Sequence, residues 1–437
     1  MATLPAEEGS AEKGGTAGPV SPGYANYVLA VLFTVYVFNF IDRQILSILL
    51  QPIKDDLGVS DSAMGFLTGL AFAVFYTFMG IPIARWADRG SRVTVITIGL
   101  TVWSAMTALS GLAQNFVHLA LARIGVGVGE AAGSPPAHSL ISDYFPPQQR
   151  ARALAVYSMG IHFGILFGFF FGGWLYEFFG WRMAFLLVGL PGLLVAVLLR
   201  TTVREPPRGL SEGLSVDAQL DSVMDVFRFM WSLRSFRYMS LATALVSFSG
   251  YGFITWVPTF LVRVHGMGYG EIGTWMGLEI GLAGAAGAVL GGVLADRFGA
   301  RDARWYMWWS AISVLLGIPF FLAFLLLPEK IPALLIYIPG LLLGSFYLGP
   351  TFSMTQGLAK PRMRSMASAI LLFIINIIGL GAGPQVVGVM NDLLAPTYGD
   401  HAVRYSLLIV GLVNLGAAGL YLLAARHLRA DLRAKDG

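Results

Sequence analysis

The chain has 437 residues, of which 56% are hydrophobic and only 12% charged, with a mean hydropathy of +0.69. A water-soluble fold of this length could not cover so much apolar surface, whereas a chain solvated by lipid has no need to. The absence of cysteine excludes disulfides and thiolate chemistry, and the net charge of +4 is scattered in short clusters rather than gathered into a nucleic-acid-binding patch.

Residues 1–22 are small and polar, without the apolar core of a signal peptide, and are expected to form a disordered cytoplasmic tail. Twelve apolar segments follow, each about 20 residues or more and so long enough to span a bilayer. They lie near 24–50, 61–85, 93–113, 115–142, 151–177, 181–199, 238–263, 269–295, 304–327, 331–357, 364–391 and 402–426. Placing both termini in the cytoplasm puts 22 of the 29 Lys and Arg on that side and five outside, with Arg43 and Arg123 left inside the membrane. That is the positive-inside bias, and the reverse orientation would violate it. The expectation is an integral membrane protein with both termini cytoplasmic, which in a bacterium means the inner membrane.

The longest inside loop, 201–237, divides the spans into bundles at 23–200 and 238–427, with a short cytoplasmic tail at 428–437. It opens with REPPRG, a helix-stopping turn, and then places Leu220, Val223, Phe227 and Met230 at helical spacing among Asp221, Asp225 and Arg228. This pattern fits an amphipathic helix on the inner membrane surface, or equally a connector helix packed on the protein. The halves repeat: Asp88 in GIPIARWADRGSR (80–92) and Asp296 in GGVLADRFGAR (291–301) are 208 residues apart. Arg150 and Arg152 open span five, and Arg362 and Arg364 open span eleven, 212 residues on. Two related six-helix halves are the signature of a parallel-repeat transporter.

GGVLADRFGAR resembles the short cytoplasmic signature that the major facilitator superfamily carries between the second and third helix of each half, and ADRGSR resembles it with one residue fewer. Arg123-x-x-x-Gly127 followed by Gly129 is similar to the family's fourth-helix motif. FNFIDRQ (38–44), QNFVHLALARIGVGVGEAAGSPPAHSLISDYFP (114–146) and GGWLYEFFGWRMAF (172–185) resemble spinster-type transporters and their bacterial relatives. The resemblance implies an all-α membrane protein of twelve transmembrane helices in two pseudo-symmetric six-helix bundles, working by alternating access, as a monomer and without a cofactor. The spinster likeness implies a lysophospholipid-like or sphingoid-phosphate-like substrate.

Arg43 and Arg123, with Asp42 and Glu130, are the centre of the chain. A charge at the bilayer centre costs roughly 2.5–3.5 kcal/mol on insertion scales, so such residues face a cavity, pair with one another and mark a transport or proton pathway. Asp42 lies eight residues below the outer end of span one, and Arg123 eight residues into span four, each therefore about 12 Å deep. Glu130, seven residues on, shares a helix face with Arg123. Asp42 and Glu130 are expected to accept protons, with Arg43 and Arg123 as switching partners; a purely structural ion pair is the alternative. Asn39, one turn before Asp42 and Arg43, is a candidate hydrogen-bond partner. His162, Glu279 and Asn376 are candidate pathway residues.

The two signatures are expected to form an inner gate, with Asp88, Arg89 and Arg92 in the first copy and Asp296, Arg297 and Arg301 in the second. Their aspartates would meet the helix starts that carry Arg364 and Arg152, holding an outward-facing state. Gly160, Gly164, Gly168 and Gly172 form a small-residue stripe along span five, and Gly379, Gly381, Gly383 and Pro384 weaken span eleven. These suggest that spans five and eleven slide against spans two and eight.

Many Phe (30 in the chain) and few buried amides suit an amphipathic substrate, since a sugar's desolvated hydroxyls would each need a partner. The arginines suit an anionic headgroup. A proton symporter of small organic anions, to which Trp256-Val257-Pro258 bears a likeness, or a multidrug exporter is the competing reading. No nucleophile–base set, metal-ligand cluster or phosphate loop is visible, so no enzyme is expected. Protons and membrane lipids are the expected partners, and nucleic acid is not one.

Overall fold

The structure, a computed structural model, describes residues 21–207 and 222–434. Most of the expected N-terminal tail, the last three residues, and Leu220 and Asp221 of the connector lie outside the described residues. Among the described residues ten helical runs are long and apolar enough to cross a membrane. Two of them each hold two spans, which makes the expected twelve. Pro147–Thr202 is broken at Gly180 (φ 77°) and Pro361–Arg433 at Gly399 (φ 54°), left-handed positions that glycine takes without a Cβ penalty. The other spans are Pro22–Ile48 (one), Asp61–Arg89 (two), Arg92–Ser110 (three), Phe116–Tyr144 (four), Arg234–His265 (seven), Tyr269–Gly299 (eight), Arg304–Leu326 (nine) and Lys330–Leu358 (ten). Spans five and six flank Gly180, and spans eleven and twelve flank Gly399.

Side-chain caps start spans two, three and four: Ser60, Ser91 and Asn115 accept the backbone N–H groups of Ala63, Thr94 and His118. Span four, expected as one helix, is broken. Phe116–Glu130 ends at the glutamate, and Ser134–Tyr144 begins after 131–133, where Pro135 and Pro136 supply no N–H to continue the ladder. Span ten breaks at the matching place, between Lys330–Gly344 and Leu348–Leu358. Spans eight and eleven carry π-helical segments, Glu279–Ala283 and Ile375–Ala382, a rare geometry that recurs at functional sites.

The two halves share a core on one side only. Ile45, Leu46, Met64 and Phe169 of the first six spans pack in one cluster with Trp256, Phe260, Met276 and Tyr337 of the last six, on the face opposite the chain termini. On the terminal face each half keeps its own core. One gathers Val28, Leu32, Leu140 and Tyr157 and takes only Leu380 and the edge of Tyr251 from the other half, while the second lies wholly in the last six spans and the connector.

Glycine makes the shared side possible. A Cβ on Gly65 of span two would lie 2.7 Å from the Pro384 carbonyl of span eleven, and one on Gly277 of span eight 2.7 Å from the Leu166 carbonyl of span five. Gly173 of span five meets the Tyr269 carbonyl in the same way. Lipid gives no hydrophobic drive between helices, so this backbone approach and polar clasps must supply the cohesion. The expected stripe Gly160, Gly164, Gly168 and Gly172 faces elsewhere. It packs on span one, against Tyr36, Phe40, Gln44 and Ile48, inside the first half. Small residues at that spacing reveal a close neighbour without saying which one, and the surface facing span eight lies one residue round the helix.

Polar clasps close the same face. Arg263 grips Asp61 with two hydrogen bonds of 2.6 and 2.7 Å and also donates to Gln51. Lys54 pairs with Asp61 at 2.7 Å. Asp392 accepts the backbone N–H groups of Asp61 and Ser62, and Glu177 accepts that of Gly270. Towards the terminal face spans two and eleven last touch where Phe78 stacks edge-on to Phe373, and spans five and eight part beyond His162 and Gly284.

The connector helix Val223–Ser232 packs on the second half through Val226 and Met230, while Val223, Met224 and Phe227 stay exposed. It is therefore a packed connector that presents a second apolar side. The stripe read from spacing splits, because among its described residues only Met230 turns inward.

Breaking a buried pair from one side costs about 3–5 kcal/mol. A single cysteine placed at Ser62 in this cysteine-free chain reports on the clasp. Arg263→Ala is expected to speed its labelling by a water-soluble maleimide about tenfold or more, and an unchanged rate would deny the clasp its role in closing that face.

Candidate functional site

Spans one, two, three and four bring the four membrane charges together at the closed end of the cleft. Arg123 Nη1 donates to the backbone carbonyl of Asp42 at 3.3 Å, so the two residues share a level as the helix rise requires. Arg43 Nε donates to Glu130 Oε2 at 2.6 Å, and their side chains are 13% and 0% exposed. The cation that touches the cleft is thus Arg43, and its partner is sealed behind it. Glu130 is the last helical residue before the span-four break, on the same helix face as Arg123.

Asp42 is treated differently. It is 1% exposed, and neither carboxylate oxygen has a hydrogen-bond donor. Thr107 of span three faces it without closing a bond, and Glu130 is its acidic neighbour. Arg123 is 2% exposed and makes no ion pair with either carboxylate. Asn39 is buried and stands beside Glu130. The site therefore holds one made ion pair and one unmade pair.

Aromatic rings frame the cations. The Arg43 guanidinium lies 4.9 Å from the Phe40 ring, 4.9 Å from Phe72 and 4.8 Å from Tyr76, and Arg123 lies 5.7 Å from the other approach to Phe72. Cation–π attraction of this kind contributes about 0.5–2 kcal/mol per contact and holds the guanidinium without fixing its hydrogen bonds. Tyr251 of span seven faces Arg43 across the cleft, and Tyr347 neighbours Tyr251 while its hydroxyl shares a 3.1 Å hydrogen bond with Ser247. None of these aromatic residues was picked out from the sequence. The signal was present in part: Tyr36 and Phe40, and Phe72 and Tyr76, are spaced four apart and so share helix faces.

The other expected site residues separate into groups. His162 is half-buried where spans five and eight part, with Nδ1 unpartnered, and Asn376 is half-buried in the π segment of span eleven. Glu279 does not line the cleft. It is 4% exposed and neighbours Tyr337 of span ten inside the second half, because the glycines on either side of it turn span eight's other face to span five.

At the terminal face Asp88, Arg89, Arg297, Arg301, Arg152 and Arg364 are exposed, and among the described residues none has a side-chain ion pair or hydrogen bond. Asp296 accepts a 2.9 Å hydrogen bond from Tyr306 in its own half. Arg92 departs from the expected gate. It is buried inside the first half, bound to Asp143, to Glu205 at 2.7 Å, to Ser139 at 2.8 Å and to the Pro206 carbonyl at 3.0 Å. A guanidinium with four of its five N–H groups bound locally fastens the start of the connector to spans three and four rather than reaching the other half.

The Major Facilitator Superfamily model matches residues 32–384. An efflux pump of that superfamily from Mycolicibacterium smegmatis is 35% identical over 413 residues, 94% of this chain and 95% of the relative. A probable galactarate/D-glucarate transporter from Bacillus subtilis is 29% identical over 294 residues, 62% of this chain and 64% of the relative. The crystal structure of a bacterial homologue of the human lysosomal transporter Spinster, inward-facing and unoccupied, superposes with a TM-score of 0.87 at 33% identity, covering 94% of this chain and 99% of that one. The chain belongs to the Major Facilitator Superfamily, where it is a spinster-like membrane transporter and not an enzyme.

Proposed function

We propose that the protein is a proton-coupled secondary transporter of an amphipathic anion, of lysolipid or sphingoid-phosphate type, working by alternating access as a monomer. The observation that carries this reading is the Arg43–Glu130 ion pair beside an Asp42 carboxyl with no donor. A buried carboxylate without a donor or cation is costly, so Asp42 is where a proton is taken up, and Glu130 takes one when Arg43 leaves it. An anionic headgroup entering the cleft competes with Glu130 for Arg43, which is the coupling: binding the anion frees Glu130 to take a proton. Arg123, unpaired and level with Asp42, receives the opposite charge when Asp42 releases its own proton.

Tyr36, Tyr76 and Tyr251 offer hydroxyls around Arg43, while Phe78, Met79, Met159 and Val289, nearer the terminal face along their spans, are exposed and apolar. That division suits a charged head at the closed end and an apolar tail trailing out. With both termini cytoplasmic, the parted face is the cytoplasmic one and the conformation is inward-open. The likeness to the unoccupied inward-facing relative supports this. In that state the signature residues stand apart, as an inner latch must when released.

The deciding measurement is flux in proteoliposomes under an imposed pH gradient, with a labelled lysophospholipid or sphingosine phosphate compared against small organic acids. Lipid movement should follow the gradient, and Glu130→Gln should lose most of it while keeping exchange down a substrate gradient. Gradient-driven flux that survives Asp42→Asn with Glu130→Gln would end the coupling role of these carboxyls. The relatives that are an efflux pump and a probable aldarate transporter favour a second reading, drug export or organic-anion symport, and movement of those probes alone would select it.

The latch has its own test. Asp88→Asn is expected to shift the population further towards inward-open, seen as faster labelling of a cysteine at Met159, which lies exposed on the parted side. No change in that rate would remove Asp88 and Asp296 from the gate.

A further inference from the structure

The coupling scheme places every proton in the first half, yet the second half contains a buried carboxyl that the scheme does not use. Glu279 is 4% exposed, and neither of its oxygens has a hydrogen-bond partner. No ion pair reaches it among the described residues. Of the elements packed on it, span ten presents Tyr337, itself buried and stacked on Phe324 with ring centroids 4.2 Å apart. Span five presents His162, whose carbonyl lies 3.2 Å from where a Cβ on Gly281 would stand. Neither neighbour is a permanent cation.

Its place in the fold is as informative as its surroundings. Glu279 is the first residue of the π segment Glu279–Ala283, the point at which span eight changes its winding. Gly277 and Gly281 on either side lie against Leu166 of span five, and by Gly284 the nearest atoms have receded to 3.6 Å, where the two spans begin to part. The carboxyl is therefore built into the joint at which the second half turns against the first. An ionised carboxylate with no donor there would cost several kcal/mol, more than a fold of ordinary stability can spare at one position.

We propose that Glu279 is a second proton-binding site, a carboxyl held neutral at the span five–span eight joint. The ligand is a proton, and the site is separate from Asp42 and Glu130. It does not depend on their coupling role.

Infrared spectra of the intact chain in lipid at neutral pH test this directly, as wild type minus Glu279→Gln. The expected result is a protonated-carboxyl stretch in the wild type that the variant loses. Loss of an ionised-carboxylate band in its place would overturn the proposal. The same difference is expected in the Asp42→Asn/Glu130→Gln background, so failure of the coupling scheme is read separately from failure of this site. Melting in the same lipid provides a second readout. Glu279→Gln, neutral and of similar volume, should melt with the wild type at neutral pH and outlast it at alkaline pH, where only the wild type must bury a charge. A variant that melts well below the wild type at neutral pH would show that the ionised carboxyl is needed, and would overturn the proposal.

Discussion

Backbone approach across the middle of the bundle is the constraint on which the rest of this structure depends. Spans two and eleven, and five and eight, come close enough that a Cβ at Gly65, Gly173 or Gly277 would strike a carbonyl of the opposite half. Lipid competes for every apolar side chain, so only such tight van der Waals contact and buried polar bonds can hold two helices together inside a membrane. Where the glycines end, the contact ends, and the halves part. One shared core and two separate ones are the consequence, and so is a cleft whose closed end lies at the level of Arg43.

That geometry decides which of the buried charges can meet a substrate. Arg43 is at the edge of the cleft and Glu130 behind it, while Asp42 and Arg123 are sealed a layer deeper between spans one, three and four. The aromatic rings around Arg43 hold it by its faces rather than its N–H groups, so its hydrogen bonds remain available for exchange between carboxylate and anion. The break in span four matters equally. It places Glu130 at the end of one helical segment and the two prolines at the start of the next.

The two faces are guarded by different chemistry. On the closed face, Asp61 is held by Lys54 and by both terminal nitrogens of Arg263, and Asp392 caps the start of span two from the other half. On the parted face Asp88, Arg89, Arg152, Arg297, Arg301 and Arg364 are exposed, and among the described residues none has a side-chain ion pair. The π segments in spans eight and eleven lie between these faces, each a local change of winding in an otherwise α-helical span.

Patterns that act along one helix were legible in the sequence. Hydrophobic length and the Lys and Arg distribution yielded the twelve spans, and the helix rise put Asp42 level with Arg123, as the 3.3 Å contact between them shows. The family motifs identified the scaffold. Contacts between helices were not legible, because spacing reveals that a face is small, charged or apolar and says nothing of what it meets. The glycine stripe of span five therefore turned out to face span one, Arg92 proved to be a tie within one half, Glu279 lay behind the cleft rather than along it, and the tyrosines around Arg43 went unnoticed. The sequence by itself determined the spans, their repeat and the presence of costly charges, since these follow from the free energy of single segments in lipid. Only the tertiary structure decided which charges pair and which side is closed, since both depend on how close two backbones far apart in the chain are able to come.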